Sequence, residues 1–236
     1  MNKSSVFLGR QKELEQLRAL HAMRRHVLIV GAAGIGKTAL LHHVREFSSI
    51  LICDDSSSLR RICASFEPQL GCTHYKLNVI QRKNRLLVDL ERRGEPVAFD
   101  HVIHTAPRVA RFMARVAEKI PIWIACRSDR AHDVGHIWPE LYKFTRIEIS
   151  PLTEIETRML IDEAAAQGKI QSNARAHAGE LHRISRGSPR ILTELLVQLA
   201  AREYKIDSSL GLHLLDIDRR IHQIDLSIKS TAEAQR

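Results

Sequence analysis

The chain has 236 residues and carries 36 Lys and Arg against 27 Asp and Glu, a formal net charge of +9. Its hydrophobic fraction of 44% supports a real core, and its length allows one large domain or a main domain with a small appendage. It has no apolar run of about 18 residues and no apolar leader, so we expect no membrane contact and a cytoplasmic location. The basic excess favours an anionic partner such as nucleic acid, but solvated arginines on helix faces explain it equally well.

The cysteines and histidines lack metal-binding spacing. The four cysteines form no C-x-x-C pair, and Cys53 and Cys126 fall in predicted buried strands, which favours reduced structural thiols. The thirteen histidines are scattered, and neighbouring pairs of them have no further ligand at metal spacing. We therefore expect no dedicated structural metal site.

A helix, a strand and a second helix open the chain. Leucines at helical spacing predict a helix over 11–23. Residues 26–30 form a short apolar, β-branched run that predicts a strand, and residues 39–47 have a helical pattern. The residues between this strand and this helix are Gly31, Ala32, Ala33, Gly34, Ile35, Gly36, Lys37 and Thr38.

These eight residues match G-x-x-x-x-G-K-[ST], the phosphate-binding loop or Walker A pattern. The glycines let the backbone turn tightly, and the amides of the loop and of the helix start, through Ala39, then point at a phosphate near the positive helix end. Lys37 is placed to reach the β- and γ-phosphates, and the Thr38 hydroxyl to bind Mg²⁺. We therefore predict that residues 31–39 bind a nucleotide, ATP with Mg²⁺.

A second strand and two helices follow the loop. Residues 50–53 predict a buried strand, and Ser58 or a neighbour caps a helix over 59–67, followed by a loop over 68–73. Residues 78–93 predict a long helix, either a basic contact face or simply a solvated helix face. Its basic side chains are Arg82, Lys83, Arg85, Arg92 and Arg93.

Residues 96–100 form an apolar strand that ends in an acid, the Walker B pattern. Asp100 would hold Mg²⁺ through its water shell, close to Thr38. The residue that follows is His101, whose neutral form can serve as a base. We therefore count Lys37, Asp100 and His101 among the candidate catalytic residues.

Two further strands complete the predicted sheet. Residues 121–126 form a core strand, which follows a predicted helix over 107–119 and leads into Arg127. Residues 145–150 alternate with period two and predict a fifth strand. Arg146 lies near the start of that strand, where a solvated arginine is the simplest interpretation.

The remaining chain has helical patterns. Thr153 caps a helix to about residue 167, with a glutamate three residues on as its capping-box partner. A second helix is predicted over 172–185. Gly187 ends that helix and Pro189 begins the next, which runs over 191–202.

The tail has apolar residues at spacings of 4, 3, 4, 3 and 4, an a/d seam that is short for an independent coiled coil. Packing of this seam on the preceding helices is the simpler interpretation. Self-association through residues 210–228, or docking on a partner, is the alternative. The seam consists of Leu210, Leu214, Ile217, Ile221, Ile224 and Ile228.

Taken in order, these motifs resemble a minimal AAA+ or STAND-type P-loop ATPase over about residues 7–202, similar to origin-initiator and transposition-helper ATPases. The words Leu8-Gly9-Arg10 and Glu13-Leu14 match the opening segment that lies beside the adenine in these families, which implies nucleotide contacts by Gly9 and Arg10. The resemblance also implies that Arg127 acts as sensor 1, the catalytic residue that monitors the γ-phosphate.

The turn Gly187-Ser188-Pro189-Arg190 resembles the corresponding turn of these families. It implies that Pro189 lies against the base and ribose and that Arg190 acts as sensor 2. These families often place an arginine finger near the position of Arg146. They usually follow the Walker B aspartate with an acid that polarises the attacking water, and His101 departs from that pattern, so slow hydrolysis and a bind-and-hold switch both stay open.

The resemblance implies an α/β fold with a three-layer P-loop NTPase core and a five-stranded, mostly parallel sheet over residues 1–150. A small helical lid over 151–205 and a helical tail over 206–236 are expected to follow. An extra strand between Walker A and Walker B is typical of this class and not of nucleoside kinases.

Three functions follow from this interpretation. The first is an ATP- and Mg²⁺-dependent switch that acts on an unidentified protein or on DNA. The second is a DNA-associated ATPase that helps replication or transposition through its basic helices. The third is a small-molecule P-loop kinase, which the strand order and the lid signature disfavour.

Overall fold

The computed structural model describes residues 9–72, 76–170, 172–201 and 211–221. These residues divide into two compact units. The core unit is Arg10–Ser150, and the helical unit contains Gly9 and the described residues from Pro151 onward. The division into 1–150, 151–205 and 206–236 stays a prediction of the domain organisation.

The core unit contains a five-stranded sheet. Its strands are β1 Val27–Val30, β2 Leu51–Cys53, β3 Val97–Val102, β4 Ile122–Cys126 and β5 Thr145–Glu148. Their spatial order is β2-β3-β4-β1-β5, and every neighbouring pair is parallel. Along the chain, β2 lies between the Walker A loop and β3, the Walker B strand, as the sequence predicts. In the sheet, β4 lies between β1 and β3. The predicted α/β class is confirmed, with a sheet that is fully parallel.

These strands are apolar runs in the sequence because their residues are buried. Every residue of β1, β2 and β4 is buried, as expected for a parallel sheet that is covered on both faces. The helices of the core unit are α1 Gln11–Ala22, α2 Lys37–Phe47, α3 Leu59–Gln69, α4 Val79–Arg93, α5 Pro107–Ala117 and the short α6 Ala131–Val134. A 3₁₀ helix at Trp138–Lys143 precedes β5.

Side-chain caps set the starts of two core helices. The Ser58 side chain accepts a hydrogen bond from the backbone amide of Arg61, which confirms the predicted cap of α3. Asn78 and Gln81 form a reciprocal capping box at the start of α4, and Gly94 with φ of +69° ends that helix.

The predicted loop over 68–73 is wrong at its first residues. Helix α3 continues to Gln69 and carries Pro68 in its last turn. The Gln69 side chain donates to the Ile52 carbonyl oxygen at 2.7 Å and accepts from the Ile52 amide at 3.1 Å. Because Ile52 lies on the edge strand β2, this side chain satisfies backbone groups that lack a strand partner on that side and holds the last turn of α3.

The helical unit contains α7 Glu154–Ala166, α8 Ala178–Ser185, α9 Pro189–Ala200 and a further helix, α10, over 211–221. Thr153 and Glu156 form the predicted capping box of α7. The predicted single helix over 172–185 is wrong in its first half, which is a 3₁₀ helix at Ser172–His177 held to α7 by an ion pair between Arg175 and Asp162. None of the described helices combines the length and the apolar composition that a membrane span requires.

Helix α10 packs on the helical unit through residues outside the predicted seam. Leu212 and Leu215 are buried in the apolar cluster of this unit. The seam residues Leu214, Ile217 and Ile221 are about half exposed. For these three residues the prediction that the seam packs on the preceding helices is wrong. The buried residues Leu212, Leu215 and Arg219 each precede a seam residue by two positions and so lie on the opposite side of α10. The other seam residues lie outside the described part of the chain.

Candidate functional site

The loop between β1 and α2 has the backbone shape that its sequence predicts. Gly34 and Gly36 have positive φ angles of +75° and +100°, and Gly36 is the N-cap of α2 without a side-chain cap. A Cβ atom at Gly31 would lie 2.9 Å from the carbonyl oxygen of Ile149. Because no side chain caps α2, its first-turn amides, through Ala39, keep their donor capacity for an anion.

Ile35 and Arg10 hold this loop in place. Ile35 is buried, whereas Ala32 and Ala33 are exposed. The buried Arg10 donates from Nη2 to the Ile35 carbonyl oxygen at 3.3 Å and pairs through Nη1 with Glu13 at 3.1 Å. Arg10 therefore contacts the backbone of the phosphate loop, a connection across 25 residues that the sequence motif alone does not reveal.

Lys37 bonds to the loop itself. Its Nζ donates to the carbonyl oxygens of Gly31 at 2.7 Å and Ala32 at 2.9 Å. Burial lowers the pKa of the Lys37 ammonium, and the Asp100 carboxylate opposes that shift. The ammonium is thus at the mouth of the loop, close enough to Asp100 for their charges to interact.

The ends of the two Walker motifs meet at Thr38 and Asp100. The Thr38 hydroxyl donates to Asp100 Oδ2 at 2.5 Å, and the Asp100 side chain is 1% exposed. The Ser56 hydroxyl donates to the Asp100 backbone carbonyl oxygen at 3.1 Å and so fixes the strand end. Sequence reasoning missed Ser56, for which the run of serines after β2 is the one signal.

His101 lies beside this pair on an irregular part of β3. The registers Phe99↔Ile124 and Val102↔Cys126 leave one extra residue on β3, a β-bulge. His101 has φ of +51°, its amide donates to Asp100 Oδ1 at 2.7 Å, and its Nε2 lies 3.4 Å from Thr38 Oγ1. The bulge therefore turns the His101 side chain toward the residues that would hold a metal.

Arg127 follows the carboxyl end of β4, whereas Arg146 is the second residue of β5. Arg127 directly follows Cys126, whose carbonyl oxygen accepts from the Gly31 amide at 3.3 Å, and its charge helps lower the pKa of Lys37. Arg146 pairs with Asp129 at 3.0 Å and with Glu148 at 2.8 Å. Arg127 is thus brought to the loop, whereas two carboxylates hold Arg146.

The remaining predicted nucleotide contacts belong to the helical unit. Gly9 has φ of +80°, and a Cβ atom there would lie 3.2 Å from side-chain atoms of α7. Pro189 is the first residue of α9. Arg190 pairs with Glu194 at 2.9 Å and is mostly exposed. At the preceding Gly187, which has φ of +69°, a Cβ atom would clash with the Leu152 carbonyl oxygen, so this turn needs glycine.

The residues of the core unit fit a magnesium nucleotide. A hydroxyl, Thr38, and a buried carboxylate, Asp100, are hard oxygen ligands, and Mg²⁺ in such sites takes one or two protein oxygens plus phosphate oxygens and water. Within the described ranges, no group of three or more His, Cys, Asp and Glu side chains could hold a metal ion by itself.

Comparison with known proteins yields structural relatives alone. No protein-family profile matches the chain, and no curated protein matches it at significant similarity. Cdc6p from Pyrobaculum aerophilum superposes with a TM-score of 0.64 at 17% identity, covering 82% of this chain and 61% of that one. ORC1 of Aeropyrum pernix, solved in complex with DNA, gives 0.65 at 15% identity, with coverages of 90% and 66%.

A third relative comes from the STAND class. The Pyrococcus horikoshii STAND protein with a tetratricopeptide repeat sensor gives a TM-score of 0.53 at 19% identity, covering 83% of this chain and 30% of that one. The chain spans less than two thirds of the length of each of these three relatives. At such identities the likeness is one of fold: this chain shares the α/β P-loop fold of these structures, as the sequence resemblance implies.

Proposed function

We propose that the protein binds ATP with Mg²⁺ at the loop between β1 and α2 and works as a nucleotide-dependent switch with slow hydrolysis. The observation that carries this proposal is the hydrogen bond from Thr38 to the buried Asp100 carboxylate, beside Lys37. P-loop ATPases use this combination of hydroxyl, carboxylate and ammonium around the metal and the γ-phosphate.

Each part of the core site has a role in the proposal. Backbone amides of the loop and of the first turn of α2, through Ala39, bind phosphate oxygens, whereas the Gly31 and Ile35 amides donate to the Cys126 and Ala32 carbonyl oxygens. Lys37 exchanges its two bonds to loop carbonyls for bonds to the β- and γ-phosphates, which are stronger because both partners are charged. Thr38 and Asp100 would hold the metal, which neutralises phosphate charge. Arg10 keeps the loop backbone in place through Ile35.

His101 and Arg127 are the proposed hydrolytic residues. His101 accepts a proton from the attacking water through its neutral imidazole. A single imidazole replaces the carboxylate that related ATPases carry at this position, so turnover is expected to be slow. Arg127 follows β4 at the loop, where a guanidinium can respond to the charge of the γ-phosphate.

The readout of the switch is proposed to run through the helical unit to an unidentified protein partner. Pro189 and Arg190 are proposed to contact the base and a phosphate of the nucleotide, and Gly9 the adenine. The exposed seam of α10 is a proposed surface for self-association. A change in nucleotide state would then alter which surfaces the helical unit offers.

Nucleotide binding is tested by the anisotropy of a fluorescent ATP analogue, with and without Mg²⁺. Lys37→Ala should weaken binding at least about tenfold, because a charge-assisted contact to phosphate is lost. Arg45→Ala, an exposed arginine further along α2, is the matched control and should bind normally. Thr38→Ala should retain Mg²⁺-free binding and lose the gain that Mg²⁺ provides. Equal affinity of Lys37→Ala and the parent protein would refute the proposed site.

The role of His101 is tested by ATP turnover at saturating nucleotide. His101→Ala should lower the turnover number by about 10²-fold, the scale of a lost general base, with little change in affinity. His101→Glu should raise it above that of the parent protein, since it restores the usual acid. A parent protein that binds ATP tightly and never hydrolyses it would identify a bind-and-hold switch.

A DNA-associated ATPase is the second candidate. The net charge of +9 supports it, as does the relative ORC1, whose structure is a complex with DNA. Double-stranded DNA should then stimulate turnover, and binding should weaken steeply with salt. A small-molecule kinase is disfavoured by the strand order, and transfer of phosphate to a candidate acceptor would revive it.

A further inference from the structure

A groove of about 510 Å³ lies between α4 and α5 in the core unit. Its apolar lining consists of Leu59, Val79, Ile80, Leu87 and Phe112. Ile80 is 68% exposed and Val79 is 38% exposed, whereas Phe112 is buried. The side chains of Val79 and Ile80 thus remain in contact with water at the edge of the groove. Exposed apolar side chains beside a groove are typical of an interaction surface.

The rim of this groove is basic. Lys83 projects from α4, and Arg108, Arg111 and Arg115 follow one another at spacings of three and four along α5, on one face of that helix. The described lining residues include no Asp or Glu, and none of the four cations has an ion pair within the described part of the chain. Arg82, the neighbour of Lys83, is by contrast fully engaged with Glu67.

We propose that this α4–α5 groove binds an acidic amphipathic helix from a partner protein. The residues of α4 from Val79 to Leu87 span about 12 Å along the helix axis, which matches roughly two turns of a bound helix. Apolar side chains of that helix would cover Ile80 and Val79. Its Asp and Glu side chains would pair with the cations of the rim.

The apolar lining argues for a protein segment and against nucleic acid. A phosphate backbone needs the cations alone and gains nothing from covering Ile80 and Val79. Single-stranded nucleic acid needs exposed rings on which its bases stack, and the one aromatic ring of the described lining, Phe112, is buried. No residue of the phosphate loop lines the groove, so the inference is independent of nucleotide binding.

The test is a display selection with a library of 18-residue helical peptides against the full chain, followed by fluorescence anisotropy of the enriched peptides. The groove variants are Ile80→Ser and the double charge reversal Arg111→Glu/Arg115→Glu. Val88→Ser and Arg92→Glu, exposed positions on α4 outside the groove, are the matched controls. A 20-base-pair DNA duplex is measured in parallel, and circular dichroism checks that each variant is folded.

We expect enriched peptides that carry an apolar stripe flanked by Asp and Glu. Their affinity should fall about tenfold with each groove variant and stay within about twofold of the parent value with each control. The proposal is overturned by a selection that enriches nothing more on the parent protein than on Ile80→Ser. It is also overturned if Ile80→Ser changes no affinity while the charge reversal weakens peptide and duplex alike, which would make the groove a purely electrostatic nucleic-acid face.

Discussion

Replacing Arg82 by methionine tests whether a buried ion pair holds α4 to α3 within the core unit. The Arg82 guanidinium donates from Nε to Glu67 Oε1 at 2.8 Å and from Nη2 to Oε2 at 2.7 Å. The Glu67 side chain is 6% exposed and that of Arg82 is 15% exposed. Methionine keeps most of the apolar stem, so the variant removes mainly the charge and the two hydrogen bonds.

The structure sets the expected magnitude. Removing one partner of a buried pair costs about 3–5 kcal/mol, because the buried carboxylate loses the charge and the two hydrogen bonds of Arg82. The partial exposure of Arg82 admits some water to Glu67, so we expect the lower end, about 3 kcal/mol. For a protein of this size each kcal/mol corresponds to roughly 2–4 °C, and the melting temperature of Arg82→Met should therefore fall by about 10 °C.

Urea and thermal denaturation followed by circular dichroism measure this change. Arg85→Met is the matched control on the same helix, since Arg85 is 52% exposed and lies 3.5 Å from Asp89, and it should cost less than about 0.5 kcal/mol. The double variant Glu67→Leu/Arg82→Met should regain most of the loss, because it leaves no buried charge. A double variant as unstable as Arg82→Met would refute the reasoning.

Three further predictions concern single residues. Burial lowers the pKa of His26 below its ordinary 6.5. As the pH falls below about 6.5, the unfolded chain therefore takes up a proton at this histidine before the folded protein does, and the free energy of unfolding decreases. Between pH 7.5 and 5.5 the urea midpoint of His26→Asn should drop less than that of the parent protein. Gly31→Ala should reduce nucleotide affinity more than tenfold and lower the melting temperature, because its Cβ would lie 2.9 Å from the Ile149 carbonyl oxygen. The control variant is Gly71→Ala, whose Cβ would meet no atom within 4 Å, and it should leave nucleotide affinity unchanged. Burial raises the pKa of Cys53 and of Cys126 to about 12, so a thiol reagent at pH 8 should label both after denaturation and neither before.

The sheet and the phosphate loop could be predicted because local chemistry determines them. Strands that are buried on both faces must be apolar throughout, and β1 and β4 are read directly as such runs. The loop glycines are required by positive φ angles and by the close backbone approach at Gly31. The caps at Ser58 and Thr153 are likewise encoded within four residues of sequence.

The features that the sequence did not reveal depend on contacts between distant residues. Helix α3 continues through Pro68 because Gln69 pairs with Ile52 of an edge strand. Arg10 reaches the loop backbone at Ile35 across 25 residues. Helix α10 has two candidate apolar faces, and the spacing of its residues does not show which one the helical unit covers.

The geometry at His101 bears on whether the departure from the usual acid is a loss of function. A non-glycine residue at φ of +51° costs about 1 kcal/mol or more, and such strain persists where surrounding contacts hold it. Here the Asp100 carboxylate accepts both the His101 amide and the Thr38 hydroxyl. The same carboxylate therefore holds both the strained backbone of His101 and the proposed metal ligand Thr38. If His101 merely stood where a catalytic acid is missing, the strained backbone and its hydrogen bond to Asp100 would not be needed. The bulge therefore favours a histidine that takes part in the site.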